Sequence, residues 1–424
     1  MRHWFFLFLL SIGSGGFFAL LVALSRTPGV SSLFPPQLFY HWLIGHVDLA
    51  LIIGFLSFLV FLWHRVFERE HRAYELVPAY LGSFLILISA LFGLGTPVHN
   101  NYVPTIDTPI FFLGVFFFGV GFFLTSFRFL PSALRHLLSG DVLHTSLSIS
   151  VLLSLLFPTA LLISFLKTQR SEEVYLYFER LYWLPGHIHQ FINASLLLTS
   201  WSLLAKAVGV EPPRWVRGLL LLLLPFPLIY LLLQLTASDS IAPEVKRITT
   251  LGYALGIGLP TIVYALSLLF RVKRNFYGAV TLLSILIYLM GAGMGYLIAG
   301  SDLRIPAHYH GVIASVLIAL MGLTYYYLQE LGYARRLPVV VRLQPYLYGV
   351  GMILFVSGLF WAGVYGAPRK TFGTGYIESF KVYLFMLVMG LGSVLSVLGG
   401  IIFVGFVLYS IIKRNGFRVQ EEAR

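Results

Sequence analysis

No cysteine occurs among the 424 residues. Disulfides, thiolate metal sites and thioether-linked c-type heme are therefore excluded within this chain. Charge is scarce as well. Asp, Glu, Lys and Arg make up 11% of the residues against 58% hydrophobic, and the mean hydropathy is +0.86. A water-soluble domain of this size could not hide so much apolar surface. The sequence also shows no convincing short repeat, no soluble domain and no long linker. Its longest hydrophilic stretch, 167–180, contains Val174, Tyr175 and Tyr177 and reads as a loop or interfacial segment. The first segment is too long, and too poor in a small-residue cleavage site, for an ordinary removable signal peptide.

What is abundant is the long apolar run. A membrane span needs about 20 apolar residues. Twelve stretches qualify, near 4–24, 37–63, 75–96, 108–127, 142–166, 178–205, 215–237, 248–270, 277–299, 306–329, 343–365 and 378–412. Runs this long are helices, because open sheet edges cannot be satisfied in lipid. The fold class is an all-α polytopic membrane protein, with a single transmembrane domain over 1–424.

The formal charge of +12 invites a nucleic-acid reading, but the placement of the cations argues against one. They gather in alternate loops: Arg65, Arg69 and Arg72; Arg128 and Arg135; Lys206, Arg214 and Arg217; Arg271, Lys273 and Arg274; Arg335, Arg336 and Arg342; and in the tail Lys413, Arg414 and Arg418. This is the positive-inside pattern, and it predicts that both termini are cytoplasmic. Cations in the opposite loops are fewer, and Lys167 and Arg170 sit close to Glu172 and Glu173.

Twelve histidines are present. His3, His64, His71 and His136 fall at cytoplasmic ends among Arg and Glu and read as solvated. His144 opens the fifth span as a cap or surface residue, and His99 lies in an external loop. Five others behave differently. His46, His187, His189, His308 and His310 all lie near the starts of even-numbered spans, which enter from the external side, so the five share one depth in the outer third of the membrane. Ionisable and metal-binding residues within spans are costly and usually mark function. Imidazole is a normal axial ligand of heme iron, and a shared metal layer accounts for the common depth; interhelical hydrogen bonding is the plainer role for any one of them. The stretch Ala-His-Tyr-His-Gly is the most informative. Residues two apart on a helix point roughly 200° apart, so His308 and His310 can each address a separate cofactor.

These residues resemble subunit I of the heme–copper oxidase superfamily, the family of cytochrome oxidases and nitric oxide reductases. That family is a twelve-helix bundle with hemes near the external side. The resemblance implies that His308 holds a high-spin, reactive heme and His310 a low-spin heme from the opposite face. Gly45-His46-Val47 is similar to the second-helix segment that supplies the other low-spin ligand. Tyr182-Trp183-Leu184-Pro185-Gly186-His187 is similar to the sixth-helix entry, which makes His187 the candidate ligand of a copper or non-heme iron. Gly366-Ala367-Pro368-Arg369-Lys370 resembles the motif whose cations pair with heme propionates, with Arg304 and Asp302 as further candidates. Gly291, Gly293, Gly295 and Pro260 fit the ninth and eighth helices.

Several positions depart from the family. Leu235 and Thr236 stand where the seventh helix usually brings two copper-ligating His, Phe191 stands four residues after His187 in place of a Tyr, and Tyr264 replaces the eighth-helix Lys. Metal sites of this kind want several nitrogen or oxygen ligands, and Gln234, Ser238 and Asp239 are the oxygen donors at hand. Asp48 is a buried-acid candidate, and His41 is interfacial or supports a ligand. The resemblance implies a multi-pass protein of the inner (cytoplasmic) membrane of a prokaryote, an oxidoreductase that passes electrons from a donor subunit, cytochrome c or quinol to dioxygen or nitric oxide. Two alternatives stay open: a di-heme electron-transfer or gas-binding protein without the second metal, and a cofactor-free transporter.

Overall fold

The structure, a computed structural model, describes residues 2–138, 141–170 and 173–422. Glu172 and the side chains of Arg414 and Arg418 lie outside the described residues. Among the described residues fifteen α-helices follow in order: α1 (Arg2–Leu24), α2 (Phe39–Val47), α3 (Phe55–Val66), α4 (Ala73–Leu91), α5 (Pro109–His136), α6 (Val142–Lys167), α7 (Val174–Ala207), α8 (Val216–Leu221), α9 (Pro225–Thr236), α10 (Pro243–Gly252), α11 (Leu259–Leu269), α12 (Phe276–Gly295), α13 (Arg304–Glu330), α14 (Val339–Val364) and α15 (Phe380–Glu422). A hairpin of β1 (Thr96–Val98) and β2 (Thr105–Asp107) joins α4 to α5, with Thr96 opposite Asp107.

Among the described residues, eleven helices are long and apolar enough to cross a membrane. The chain is therefore a polytopic all-helical membrane protein. Three of the eleven are composite. Pro36–Val66 runs through α2, a π-helix at Asp48–Gly54 and α3. Val216–Thr236 joins α8 and α9, and Pro243–Leu269 joins α10 and α11 through a π-helix at Tyr253–Gly258. Pro260 has no N–H to complete the α-register bond there.

Of the twelve stretches predicted to span, the sixth is not among the eleven. Its helix, α7, is 34 residues long, or about 50 Å at the usual rise. His187, His189, Gln190, Asn193 and a series of hydroxyls along it lower its hydropathy. Helix α7 begins at Val174, so the expected loop over 167–180 is helical in its second half. The cause is packing. Phe178, Leu181 and Tyr182, at the i, i+3, i+4 spacing of one helix face, are buried against Val98 and Val103 of the hairpin.

By contacts the chain divides into two compact units. The first comprises Met1–Ala19, Gln37–Ser202 and Pro212–Ser267; the second comprises Leu20–Pro36, Leu203–Glu211 and Leu268–Arg424. In the first, α4 packs along α5. There Glu75, fully buried, is held by Arg128 through Nη2–Oε2 at 2.9 Å and through Nε–Oε1. In the second, α14 packs along α15 and α12 along α13. Close approach there depends on glycine: a Cβ on Gly291 would lie 2.6 Å from the Val312 nitrogen, a backbone atom of α13. Small residues permit this intimacy between membrane helices.

Candidate functional site

In the second unit the His-x-His pair sits in the first turns of α13. Asp302 builds the helix start. Its carboxylate accepts from the Arg304 backbone N–H at 2.9 Å and from the Arg304 side chain at 2.6–3.1 Å. Hydrogen bonding to Arg304 holds the Asp302 carboxyl below its ordinary value. The Leu303 N–H donates to Ala367 O at 3.2 Å, and Asp302 pairs with Pro368 across the loop after α14. The motif carrying Arg369 and Lys370 is thereby tied to the start of the His helix, with Lys370 in the left-handed region at φ 55°.

His308 faces α12. Its Nδ1 lies 2.8 Å from Gly291 O, and a Cβ on Gly295 would sit 2.6 Å from the ring. His310 faces α14, its ring edge-on to Phe355 at 5.1 Å and its Nδ1 2.7 Å from Pro306 O. Between them in sequence, Tyr309 is half-buried, its ring 4.7 Å from that of His310.

Arg26 was not singled out from sequence. It is 7% exposed, and it donates through Nη2 to Pro368 O at 2.8 Å and to the Tyr376 hydroxyl at 3.2 Å. Both are neutral oxygens, and its buried Nε has no partner among the described residues. A cation at the end of an otherwise uncharged span was its only sequence signal.

In the first unit, His46 on α2 places Nδ1 3.0 Å from Gly15 O of α1. The approach is tight: a Cβ on Gly45 would meet Ala90 Cβ at 2.5 Å and Phe18 at 2.9 Å. His41 is buried, with Nε2 3.0 Å from Gly95 O.

A carbonyl oxygen can only accept. At His46, His308 and His310 the proton therefore resides on Nδ1, and Nε2 is the lone-pair nitrogen. Metal-ligating imidazoles are oriented in this way, through a carbonyl on the far nitrogen.

His187 is arranged otherwise. Its Nδ1 donates to Trp183 O at 2.6 Å, and its Nε2 accepts from the Tyr102 hydroxyl at 3.0 Å. Tyr253 stacks on the ring at 4.8 Å. Tyr102 comes from the β1–β2 turn in the left-handed region, φ 66°. Only glycine at 186 leaves room for it, since a Cβ there would lie 2.3 Å from Tyr102 Cβ. Burial raises the Tyr102 phenol above its ordinary value and keeps it a donor. Sequence reading missed Tyr102 because a turn residue 85 positions from His187 carries no periodic signal.

The remaining candidates are dispersed. His189 is buried near Phe157 at 5.5 Å, with no partner for Nε2 among the described residues. Phe191 packs on Tyr230, and the Tyr264 hydroxyl is 3.0 Å from Ser202 Oγ. Asp239 is no open oxygen donor: Arg180 grips both its oxygens at 3.1 Å, which holds its carboxyl below the ordinary value. Among the described residues no three His, Cys, Asp or Glu side chains converge as a metal-binding group.

His64 corrects the sequence reading. It is fully buried, its Nδ1 2.6 Å from Arg69 O and its ring edge-on to Phe129 at 5.0 Å. The chain turns back after α3, and Phe129 of α5 covers the ring. His144 matches its expected role at a helix start, bonded at 2.8 Å to Asp141, which caps α6.

No family model matches the sequence. It is similar to an uncharacterized protein of Aquifex aeolicus (strain VF5), 49% identical over 345 residues that cover 81% of this chain and 88% of that one. It is also similar to an uncharacterized protein of Rickettsia prowazekii (strain Madrid E), 26% identical over 504 aligned positions that cover 99% of this chain and 97% of the other.

Proposed function

We propose a heme-dependent electron-transfer function for this chain, which belongs to one family with the Aquifex aeolicus protein. The reading is a divergent subunit I of the heme–copper oxidase type, in the inner membrane of a bacterium. Electrons from a donor subunit, cytochrome c or quinol would serve the reduction of dioxygen or nitric oxide.

One observation carries it. Three span imidazoles, His46, His308 and His310, each give Nδ1 to a backbone carbonyl at 2.7–3.0 Å and keep Nε2 as the lone-pair nitrogen. That tautomer is the one an axial ligand needs. When bound, heme supplies a one-electron iron couple and, where one axial position is open, a place for a diatomic gas. His308 and His310, in the second unit, would hold heme on opposite sides of their helix, with His308 proposed for the gas-binding heme, and His46 is proposed as a heme ligand of the first unit. Arg369, Lys370 and Arg26 supply cations at the loop end of α13 for carboxylate groups. The Arg26 guanidinium donates to two neutral oxygens, Pro368 O and the Tyr376 hydroxyl, so it suits an anion.

The His187 surroundings do not fit a copper or non-heme iron. The nitrogen that would ligate already accepts from Tyr102, and no group of three His, Cys, Asp or Glu side chains able to hold a metal occurs among the described residues. This favours a second reading, a di-heme electron-transfer or gas-binding protein without the second metal.

A reduced-minus-oxidised optical spectrum of the purified protein, with and without carbon monoxide, tests the proposal. About half of the heme signal should respond, since only iron with a vacant axial position takes up the gas. His308→Ala should abolish that half alone, and His46→Ala or His310→Ala the other. A protein purified without heme absorbance, or three variants with unchanged spectra, overturns the assignment. Metal content separates the two readings: one copper or non-heme iron per two hemes supports the oxidase, and hemes alone support the second.

A further inference from the structure

One end of the first unit gathers cations around a cavity. The last turn of α3, the chain just beyond it and the adjoining ends of α5 and α6 border a space of about 350 Å³. Phe67, Arg69, Arg135, His136 and His144 line it, and Glu68 is the one acid in its lining among the described residues.

Packing sets these groups in place. His64, fully buried, donates from Nδ1 to Arg69 O at 2.6 Å and so fixes the turn after α3. The Arg69 side chain lies over the Phe129 ring at 5.9 Å and donates through Nη1 to Arg128 O at 3.1 Å. Both partners are uncharged, so neither neutralises the guanidinium. Phe67 packs on Phe129 at 5.9 Å and stacks on His136 at 5.8 Å. His136 and His144 lie ring to ring at 5.0 Å. Asp141 accepts from His144 Nδ1 and from the Leu143 N–H, both at 2.8 Å, so it orients one imidazole while capping α6.

The charges of the lining do not cancel. Among the described residues neither Arg69 nor Arg135 forms an ion pair with a carboxylate. Arg128, next to them, is engaged by Glu75. Two guanidinium groups and two imidazoles thus stand against the single carboxylate of Glu68, which is exposed. A guanidinium presents a planar fork of N–H donors that matches two oxygens of a phosphate. The space exceeds the share of about 30 Å³ that one water takes in the liquid, so a phosphate group can enter it.

The place of the cavity adds a second sign. It lies at the ends of α3, α5 and α6 that the alternation of cations predicts to face the cytoplasm. Basic pockets between spans on that side suit the head groups of acidic lipids. Leu134 and Leu138, on either side of Arg135 and His136, are 59% and 71% exposed, an apolar strip on which an acyl chain can lie.

We propose that this cavity binds a phosphate-bearing anion, held by the Arg69 and Arg135 guanidinium groups and bounded by the His136–His144 pair. The apolar strip favours an acidic phospholipid over free phosphate as its source. No heme takes part, so the test is separate from that of the proposed function.

Native mass spectrometry of the full chain, stripped of lipid in detergent, counts bound lipids directly. Phosphatidylglycerol should add one saturable copy, ahead of phosphatidylcholine with the same acyl chains. Arg135→Gln should weaken that copy about fivefold, and Arg69→Gln with Arg135→Gln about 30-fold. Arg335→Gln with Arg336→Gln, in another cationic loop, should leave it unchanged. Arg69 is braced by packing, so if its replacement prevents folding, the exposed Arg135 carries the test alone, with Arg135→Lys retaining part of the binding. Inorganic phosphate supplies the other arm. If it raises the unfolding midpoint above chloride at equal ionic strength, and Arg135→Gln removes that rise, the site takes free phosphate. Equal binding of the two lipids with no response to phosphate overturns the proposal. So does equal weakening by the Arg335 and Arg336 replacements, which would reduce the effect to general surface charge.

Discussion

Replacing Tyr102 with Phe removes one oxygen atom from the chain. The ring contacts survive, including the edge-on packing of Trp183 at 5.5 Å, and the left-handed backbone is common to both residues, so its strain cancels. What changes is His187, which is 2% exposed. Its Nδ1 proton is committed to Trp183 O at 2.6 Å, so the ring cannot switch tautomers without losing that bond. Nε2 is left as a buried acceptor without a donor. Hydrogen bonds between membrane helices are worth about 0.6 kcal/mol on average, whereas orphaning a buried acceptor costs about 1–3 kcal/mol. The second term dominates because solvent cannot reach the ring. Tyr102→Phe should therefore destabilise the protein by about 1–3 kcal/mol, read as a lower unfolding midpoint in nanodiscs. Removing both partners, Tyr102→Phe with His187→Leu, should cost less than the sum of the single changes, because no orphan remains. A Tyr102→Phe variant within about 0.5 kcal/mol of wild type, together with an additive double variant, would refute the reasoning.

Three further outcomes follow from the packing and the charges. Gly291→Ala should cost about 1–3 kcal/mol as an overpacked contact, because its Cβ meets backbone of α13 at 2.6 Å; the loss should register in unfolding and, on the proposed function, in the optical response assigned to His308. Arg128→Leu should cost about 3–5 kcal/mol by leaving buried Glu75 unpaired, and adding Glu75→Leu should recover much of that, which a double-variant cycle measures. The Asp302 carboxyl is held low by Arg304. Its contribution is thus complete above the unfolded value near pH ~3.9 and is lost as pH falls through the lower folded value. Acid titration of stability should show this loss in the wild type and not in Asp302→Asn.

Much of the architecture was legible from composition. A run of about 20 apolar residues has few outcomes besides a helix in a bilayer, so most spans emerged within about five residues, whereas the fourth, expected near 108–127, runs on to His136 and the sixth is not among the eleven. Helix α7 strained that logic because its polar residues face neighbours inside the unit: His187 meets Tyr102, and Ser195 Oγ donates to Ser146 O at 3.2 Å. The opposed directions of His308 and His310 followed from helical spacing alone, and the structure turns one to α12 and the other to α14. His64 was misread because its neighbours in sequence are charged while its neighbour in space is Phe129.

The order of residues by itself determined that this chain lives in lipid, where its helices fall and which imidazoles they carry, because those properties depend on short-range composition and on the helical repeat. Tertiary structure alone decided which nitrogen of His46 and of His308 holds the proton, and that Tyr102 closes over His187. Each of these depends on an atom brought in from elsewhere in the chain: the carbonyls of Gly15 and Gly291 and the hydroxyl of Tyr102. Hydrogen bonds reach only about 3 Å, so no reading along the sequence can assign them before the backbone has brought those atoms together.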